Sequence, residues 1–457
     1  MIIKRDLDPN FLPNEQTKVP LKMKFGYGSG DFALNLGYQV CALFLIYYFT
    51  DVFMISAAAA GSIFLFSKLW DAVSDPLMGI ISDHTKSRWG RKRPYLLFGS
   101  FPLGLAVFLL FFGPDLSETM RIVYGAATFI LFCTAITVVT VPYGAMTADL
   151  TLDTTERNTI SGFRMTFALL GTLFAAAVTK PLVMAFADEA TGFRIIGAVY
   201  GVIVAVVILI TFATVRERVA HVDEKKQPFK ENLRVIFANK PFLLLAASTT
   251  LYMITVNMLA AVVNYYFKYN LKAEGLIPIA FLALFVTAAL CIPIFVIISN
   301  RFGKKIGYNI GMSTLGFALV AIFFLGEKSM ALTMILFVLA GVGMSSVFLF
   351  PWSIVPDTVE YSEWKTGLRR EGTLYGFYFF CFKLGSAIAG FLAGWGLNIA
   401  GYVANVEQSA GSLMGIRILI TFVPLIFIIL GMILISFFPI DEKMHRQIVA
   451  QISKRGT

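Results

Sequence analysis

Charge is what this 457-residue chain lacks most. Only 14% of its residues are charged, against about 25% in an ordinary soluble domain. Cysteine and histidine are scarce too. The four cysteines, Cys41, Cys133, Cys291 and Cys381, each fall inside an apolar run and far from one another. That spacing excludes a disulfide framework or a thiolate metal site. The three histidines, His84, His221 and His445, all lie in polar segments, which leaves none inside an apolar run to relay protons or hold a metal. No Gly-Lys-Ser/Thr phosphate loop and no paired nucleophile and base are found. An enzyme or a nucleotide-driven pump is therefore not expected, and neither is a resident cofactor. The first 22 residues are polar and contain proline, so no cleavable leader is expected. The net charge of +10 would suit nucleic acid, but the bases are spread over short polar segments. That distribution belongs to membrane topology, and no nucleic-acid partner is expected.

What the chain has is apolar length. Hydrophobic residues make up 57% of it, with 44 Phe. A membrane-spanning helix needs about 20 apolar residues. Runs of that size occur at 26–50, 56–82, 95–113, 120–148, 160–187, 194–214, 241–269, 275–299, 306–325, 329–355, 373–400 and 413–439. The expectation is an all-α membrane protein of twelve transmembrane helices. Bases concentrate in alternate connections: Lys86, Arg88, Arg91, Lys92 and Arg93; Arg216, Arg218, Lys225, Lys226, Lys230, Arg234 and Lys240; Arg301, Lys304 and Lys305; Lys365, Arg369 and Arg370. The positive-inside rule makes these cytoplasmic, and both termini with them.

The polar segment around 216–240 divides the spans into six and six. The expected organisation is a tail at 1–24, a half at 25–215, a central loop at 216–240, a second half at 241–440 and a tail at 441–457. A weak repeat supports the division. Ser82-Asp83 precedes Arg88-Trp-Gly90-Arg-Lys-Arg93, and Ser299-Asn300 precedes Arg301-Phe-Gly303-Lys304-Lys305. Both place a small polar pair, then a glycine flanked by bases, at the end of the second helix of a half. Halves related in this way bind their cargo at the midplane between them.

Charges inside the spans single out candidate sites. Lys68, Asp71 and Asp75 follow one another at i+3 and i+4, so they share a helical stripe. Each costs roughly 2.5–3.5 kcal/mol at a bilayer centre. Two carboxylates one turn apart repel in low dielectric, so the pair holds a proton or a cation unless Lys68 neutralises one of them. The first span presents Tyr27, Asp31 and Asn35 at i+4 spacing, followed by Tyr38. The fourth carries Thr134, Thr137 and Thr140, which either line the cavity or bond back to their own helix. Arg164 and Lys383 are cavity cations or counter-charges. Asn257 and Asn264 are interhelical bonds or ligands. Three acids (Asp31, Asp71, Asp75) balance three bases (Lys68, Arg164, Lys383). A bound monovalent cation would leave one excess positive charge, which an anionic substrate would offset.

The motifs Tyr27-Gly-x-Gly-Asp31, Trp70-Asp71-Ala-Val-Ser-Asp75-Pro76, Arg88-Trp-Gly-Arg-Lys-Arg-Pro94 and Val141-Pro-Tyr-Gly144 stand in order along the chain. Asp357-Thr-Val-Glu360-Tyr-Ser-Glu363-Trp-Lys-Thr-Gly367, Arg370-Glu-Gly372 and Lys383-x-Gly-Ser386 follow. In this set the chain resembles the glycoside–pentoside–hexuronide:cation symporters, the melibiose-permease branch of the major facilitator superfamily. The resemblance implies a coupling site at Asp71 and Asp75, with Thr137 as third ligand, for Na⁺ or H⁺. It matches the family's helix-5 arginine to Arg164 and its helix-11 lysine to Lys383. The two sugar-gripping acids of melibiose-type members align with Asn35 and Thr140, and a tryptophan with Gly144. That departure implies pentosides or hexuronides rather than galactosides. Thr155-Glu-Arg157 to Arg164-Met-Thr and Leu170-Gly171-Thr are also similar to sodium-dependent lysophospholipid carriers, which gives an amphiphile as the alternative cargo.

The expectation is thus a cation-coupled symporter of a small glycoside, monomeric, multi-pass, in the cell's inner or plasma membrane. A non-transporting receptor or scramblase is the remaining class. Substrate-binding candidates are Tyr27, Asp31, Asn35, Thr140, Arg164, Trp352 and Lys383, with Trp352 placed to stack on a sugar face. Lys68 belongs to the charge network. Arg88, Arg91 and Arg93 are expected to latch to Asp357, Glu360 and Glu363 when the cytoplasmic side is closed. The other reading of these charges is solvation and lipid headgroup contact.

Overall fold

Caps and prolines turn the apolar runs into helices of defined length. Ser56 accepts the amide of Ala59 at 3.4 Å, Asp188 that of Thr191 at 2.8 Å and Asn239 that of Phe242 at 3.1 Å. Each satisfies a donor that a helix start leaves without a partner. The structure, a computed structural model, describes residues 18–151, 154–217, 229–367 and 371–455. The loop bases Arg218, Lys225, Lys226, Arg369 and Arg370, and most of the expected N-terminal tail, lie outside the described residues.

Among the described residues twelve long helices alternate in direction. They are α1 (Leu21–Tyr47), α2 (Ala57–His84), α3 (Arg93–Phe112), α4 (Glu118–Ala145), α5 (Thr154–Met184), α6 (Glu189–Thr214), α7 (Lys240–Tyr265), α8 (Ile277–Phe302), α9 (Lys304–Leu325), α10 (Met330–Thr366), α11 (Glu371–Ile399) and α12 (Ala410–Ser436). No strand is found among the described residues. Eleven of the twelve are long and apolar enough to cross a membrane; the exception is α2, which carries Lys68, Asp71 and Asp75. The face that Leu21 and the last helix reach is called here the terminal face, and its opposite the far face.

Three details differ from the expected spans. Helix α10 runs on to Thr366 rather than stopping near 355, with Pro351 and Pro356 inside it. The segments expected as a loop at 216–240 and a tail at 441–457 contain helices, Phe229–Ala238 and Glu442–Arg455. Helix α12 breaks at Thr421 (φ −118°, ψ −73°), because Pro424 has no amide to donate to the carbonyl of Ile420.

Within the first half α1 packs on α5 and α3 on α6; within the second α9 packs on α10 and α7 on α11. The seam between halves is made by α2 against α11, α5 against α8 and α1 against α7. The halves repeat one another. Gly90 (φ +105°) and Gly303 (φ +90°) both occupy conformations that favour glycine. Beside them Lys92 donates to the carbonyl of Ala145 at 2.9 Å, and Lys304 to that of Ser353 at 2.8 Å. In each half a lysine from the 2–3 type connection thus ties down the fourth helix.

A second repeat escaped the sequence reading. Tyr47-Tyr48-Phe49 ends α1 and Tyr265-Tyr266-Phe267 ends α7. Both continue as a π-helical turn, Tyr48–Val52 and Tyr266–Asn270. The amide of Phe53 bonds to Tyr48 O at 2.7 Å, and the amide of Leu271 to Tyr266 O at 3.0 Å. Met54 (φ +59°) and Lys272 (φ +52°) then turn the chain at the same register.

Candidate transport site

Asp75 sits on the seam. Its Oδ1 accepts from Thr137 Oγ1 of α4 at 2.8 Å, and its Oδ2 accepts from Lys383 Nζ of α11 in the other half. The two charged side chains are 26% and 27% exposed, so water reaches the pair. Asp71, one turn earlier, is sealed in the first half. It pairs with Lys68 at 3.3 Å, and both side chains are almost fully buried. Among the described residues no geometric hydrogen bond reaches its Oδ1 or the hydroxyl of Ser67 one turn before it. Lys68 also lies 4.7 Å from the centre of the Tyr38 ring. Four residues advance a helix by about 40° beyond a full turn. At a seam that rotation is enough to point one carboxylate inward and the next across. The repulsion expected of the two acids is relieved by two separate bases.

The third acid has its own base as well. Asp31 accepts from Arg164 Nε at 2.7 Å and Nη2 at 3.2 Å, a two-point grip. Its Oδ2 also accepts from Tyr143 at 2.6 Å. Tyr27 is fully buried, donates to the carbonyl of Tyr143 at 2.5 Å and bonds with Thr147 at 2.9 Å. The guanidinium of Arg164 lies over the rings of Tyr27 and Tyr143. This knot joins α1, α4 and α5. Gly30 makes room for it: a Cβ there would stand 2.6 Å from the Tyr143 ring. In this state Tyr27 and Asp31 face the knot, not open space. Asn35 donates to the carbonyl of Asp31 at 2.9 Å.

The remaining candidates divide. Thr140 is exposed, and no described residue bonds its hydroxyl. Thr134 accepts from the Trp70 indole at 2.9 Å and donates back to Ile130 O. Trp352 is 37% exposed and packs edge-on against Tyr378. Nothing lies within 4 Å of a Cβ built on Gly144, so the position that carries a tryptophan in the melibiose-type pattern is open space here. Asn257 receives Ser386 of α11 at 3.2 Å, and Asn264 donates to Leu43 O of α1 at 2.5 Å. Both join helices, the bland alternative for them.

The far face holds a second charged cluster that sequence reading missed. Asp51 has a fully buried side chain. It accepts from Lys268 at 2.9 Å, Tyr402 at 2.5 Å, Thr50 at 2.7 Å and Tyr269. Asn405 donates to its carbonyl at 2.5 Å. Beside it Lys180 of α5 bridges Glu189 at 2.8 Å and Glu274 at 2.5 Å, and Tyr47 lies 2.9 Å from both glutamates. The duplicated Tyr-Tyr-Phe turn supplies Tyr47 and Asp51 from one copy and Lys268 and Tyr269 from the other. That repeat was the available signal.

The terminal face is arranged differently. Asp357 pairs with Lys304 at 2.7 Å. His445, from the helix Glu442–Arg455, reaches Glu360 at 2.5 Å and Asp357 at 3.5 Å. The amides of Arg91, Lys92 and Arg93 donate to Glu217. Arg93 also donates to Trp89 O and Phe212 O, and Arg88 stacks on Trp89. Among the described residues no ion pair joins Arg88, Arg91 or Arg93 to Asp357, Glu360 or Glu363. Every hydrogen bond and ion pair between described residues of opposite halves lies at Asp75–Lys383 or on its far side. The expected latch is thus unmade among the described residues.

Comparison with known proteins fits this architecture. The family model described as MFS/sugar transport protein matches residues 26–442. The chain is 32% identical to the isoprimeverose transporter of Lactiplantibacillus pentosus, covering 96% of this chain and 92% of the relative. It is 30% identical to the glucuronide carrier protein homolog of Escherichia coli (strain K12), covering 94% and 95%. The crystal structure of a bacterial homolog of the human lysosomal transporter Spinster, inward-facing and unoccupied, superposes with a TM-score of 0.70 at 12% identity. The match covers 94% of this chain and 97% of that one, and it establishes the major facilitator fold. Carriers, not enzymes, make up these matches. With twelve helices in two repeated halves and a family model spanning nearly all of them, this chain belongs to the MFS/sugar transport protein family.

Proposed function

We propose that the protein couples entry of Na⁺ or H⁺ to uptake of a small glycoside, a pentoside or hexuronide in preference to a galactoside. The terminal face is cytoplasmic, as the basic loops require. One observation carries this reading: Asp75 is held by Thr137 of its own half and by Lys383 of the other. The Lys383 ammonium stands where a coupling cation would stand. When the cation binds Asp75 it replaces Lys383. The freed ammonium and Arg164 then favour a carboxylate or hydroxyl-rich ring near Thr140, Asn35 and Trp352. Cation and sugar thereby cooperate through one movable charge. Asp71 and Lys68 keep the sealed side of the site neutral, and Asp71 can add a ligand when the helix turns.

The named relatives fit this range, since one carries isoprimeverose and another is a glucuronide carrier homolog. No resident cofactor is needed, and the monomer contains the whole path. The test is uptake into vesicles of xylosides, glucuronides, galactosides and a lysolipid, each with and without a cation gradient. Stimulation of a pentoside or glucuronide by the gradient is expected. Gradient-independent uptake would refute coupling, and uptake confined to the lysolipid would replace the cargo.

A further inference from the structure

Two of the acids expected to latch the terminal face, Asp357 and Glu360, are already engaged, and the chain's own C-terminal helix supplies a partner to both. Helix Glu442–Arg455 packs on α10. Ile448 is its buried anchor, 2% exposed. Trp364 of α10 donates to Gln451 at 2.5 Å. Between these contacts His445 bridges Glu360 and Asp357. Asp357 is shared with Lys304 of α9, which donates to both its oxygens at 2.8 and 2.7 Å. Asp441 starts the helix by accepting the amide of Met444 at 2.7 Å.

We infer that this helix is a strap that holds the terminal face open by competing for α10 acids. The inference rests on the proposed latch between the 2–3 loop bases and α10. A carboxylate that accepts from His445 has fewer free lone pairs to offer an arginine. Closure therefore requires His445 to leave Glu360, or Arg88 and Arg91 to displace it. The strap acts on the return of the empty carrier, the step in which the terminal face closes without cargo. It is autoinhibitory: it sets how long the cavity stays open to the terminal side, not what the cavity binds. Its described side-chain contacts to α10, Trp364 with Gln451 and His445 with Glu360 and Asp357, are partly exposed, which suits an element that must detach in each cycle.

The experiment uses the full chain in lipid nanodiscs, with its cysteines replaced and spin labels at Ser87→Cys on the 2–3 loop and Thr366→Cys at the end of α10. The open state gives a long separation and closure a short one. His445→Ala is expected to raise the short-distance population severalfold, and His445→Arg to lower it. Ile448→Ala removes the anchor without touching a charge and is expected to act in the same direction as His445→Ala. Unchanged distances in His445→Ala and Ile448→Ala would overturn the strap. Arg88→Gln with Arg91→Gln separates the two ideas. If these changes cancel the gain from His445→Ala, strap and latch compete as inferred. If the gain persists without the arginines, competition for the acids is overturned. The coupling mechanism at Asp75 is untouched by either result, because the measurement needs no substrate.

Discussion

The far and terminal faces are built from the same repeated halves and yet behave as opposites. On the far face the halves are joined side chain to side chain, with Asp51 gripped by Lys268, Tyr269 and Tyr402 and Lys180 shared by one glutamate from each half. On the terminal face the bonds between described residues stay within one half, as in Lys304–Asp357 and Glu217 with the amides of 91–93. Among the described residues Asp75–Lys383 is the last side-chain bond across the seam before the terminal face. The difference shows that a symmetric fold need not have symmetric gates. At the core of the far gate Asp51 is fully buried, and losing its partner there is costly. On the terminal face the His445–Glu360 pair is partly exposed, and such pairs exchange cheaply.

That contrast can be broken at several points. The largest effect is expected from Asp75→Asn, which removes both the bond across the seam and the proposed cation ligand. Cation-stimulated uptake should fall ~100-fold or more, equivalent to about 3 kcal/mol; retained stimulation in vesicles would dismiss the assignment. Next comes Asp51→Asn. It loosens the hold on Lys268, which keeps Tyr47 and Asn405, and costs the far-closed state about 1.5–3 kcal/mol. Maleimide labelling of Ser62→Cys from the far side should rise sharply, and an unaltered rate would mean that Asp51 does not hold this gate. Gly61→Leu should act in the same direction by force. A Cβ at Gly61 would lie 3.0 Å from Gly394 Cα, and overpacking of this kind costs about 1–3 kcal/mol. A lowered melting temperature with a smaller rise in labelling is expected; wild-type behaviour would show that α2 and α11 have slack. The smallest effect belongs to Lys272→Ala. Its partner Glu407 lies 3.5 Å away and both are largely exposed, so the pair is worth ~0.5 kcal/mol or less. Labelling and melting should not change, and a marked change would make the rim part of the gate.

Much of this was legible before any coordinates. Span number and the inventory of three acids and three bases follow from hydropathy and spacing, because a bilayer leaves few ways to bury a backbone. Which base serves which acid was not legible. Asp71 and Asp75 share a stripe in sequence, and only the seam separates their surroundings. The far gate was missed because Asp51 lies at a span end, where a charge needs no explanation, although the doubled Tyr-Tyr-Phe marked the place. His445 was set aside because it lies outside the spans, and its partners on α10 arise from a helix longer than the hydropathy suggested. Proline normally ends a helix in such readings, yet Pro351 and Pro356 sit within α10.

Helix α2 bears on how the molecule is made. Its charges are inserted early in synthesis, and Lys68 is at hand for Asp71 within one turn. Asp75 must wait for Lys383, 308 residues later in the chain. At ribosomal speeds of about 5–20 residues per second, that is roughly 15–60 seconds. For that interval the nascent first half carries an acid without its permanent base. It must be kept protonated, hydrated or sheltered by the insertion machinery until the second half arrives. Severing the chain between the halves would prolong that exposure indefinitely, which makes Asp75 the residue where assembly and transport place conflicting demands on one carboxylate.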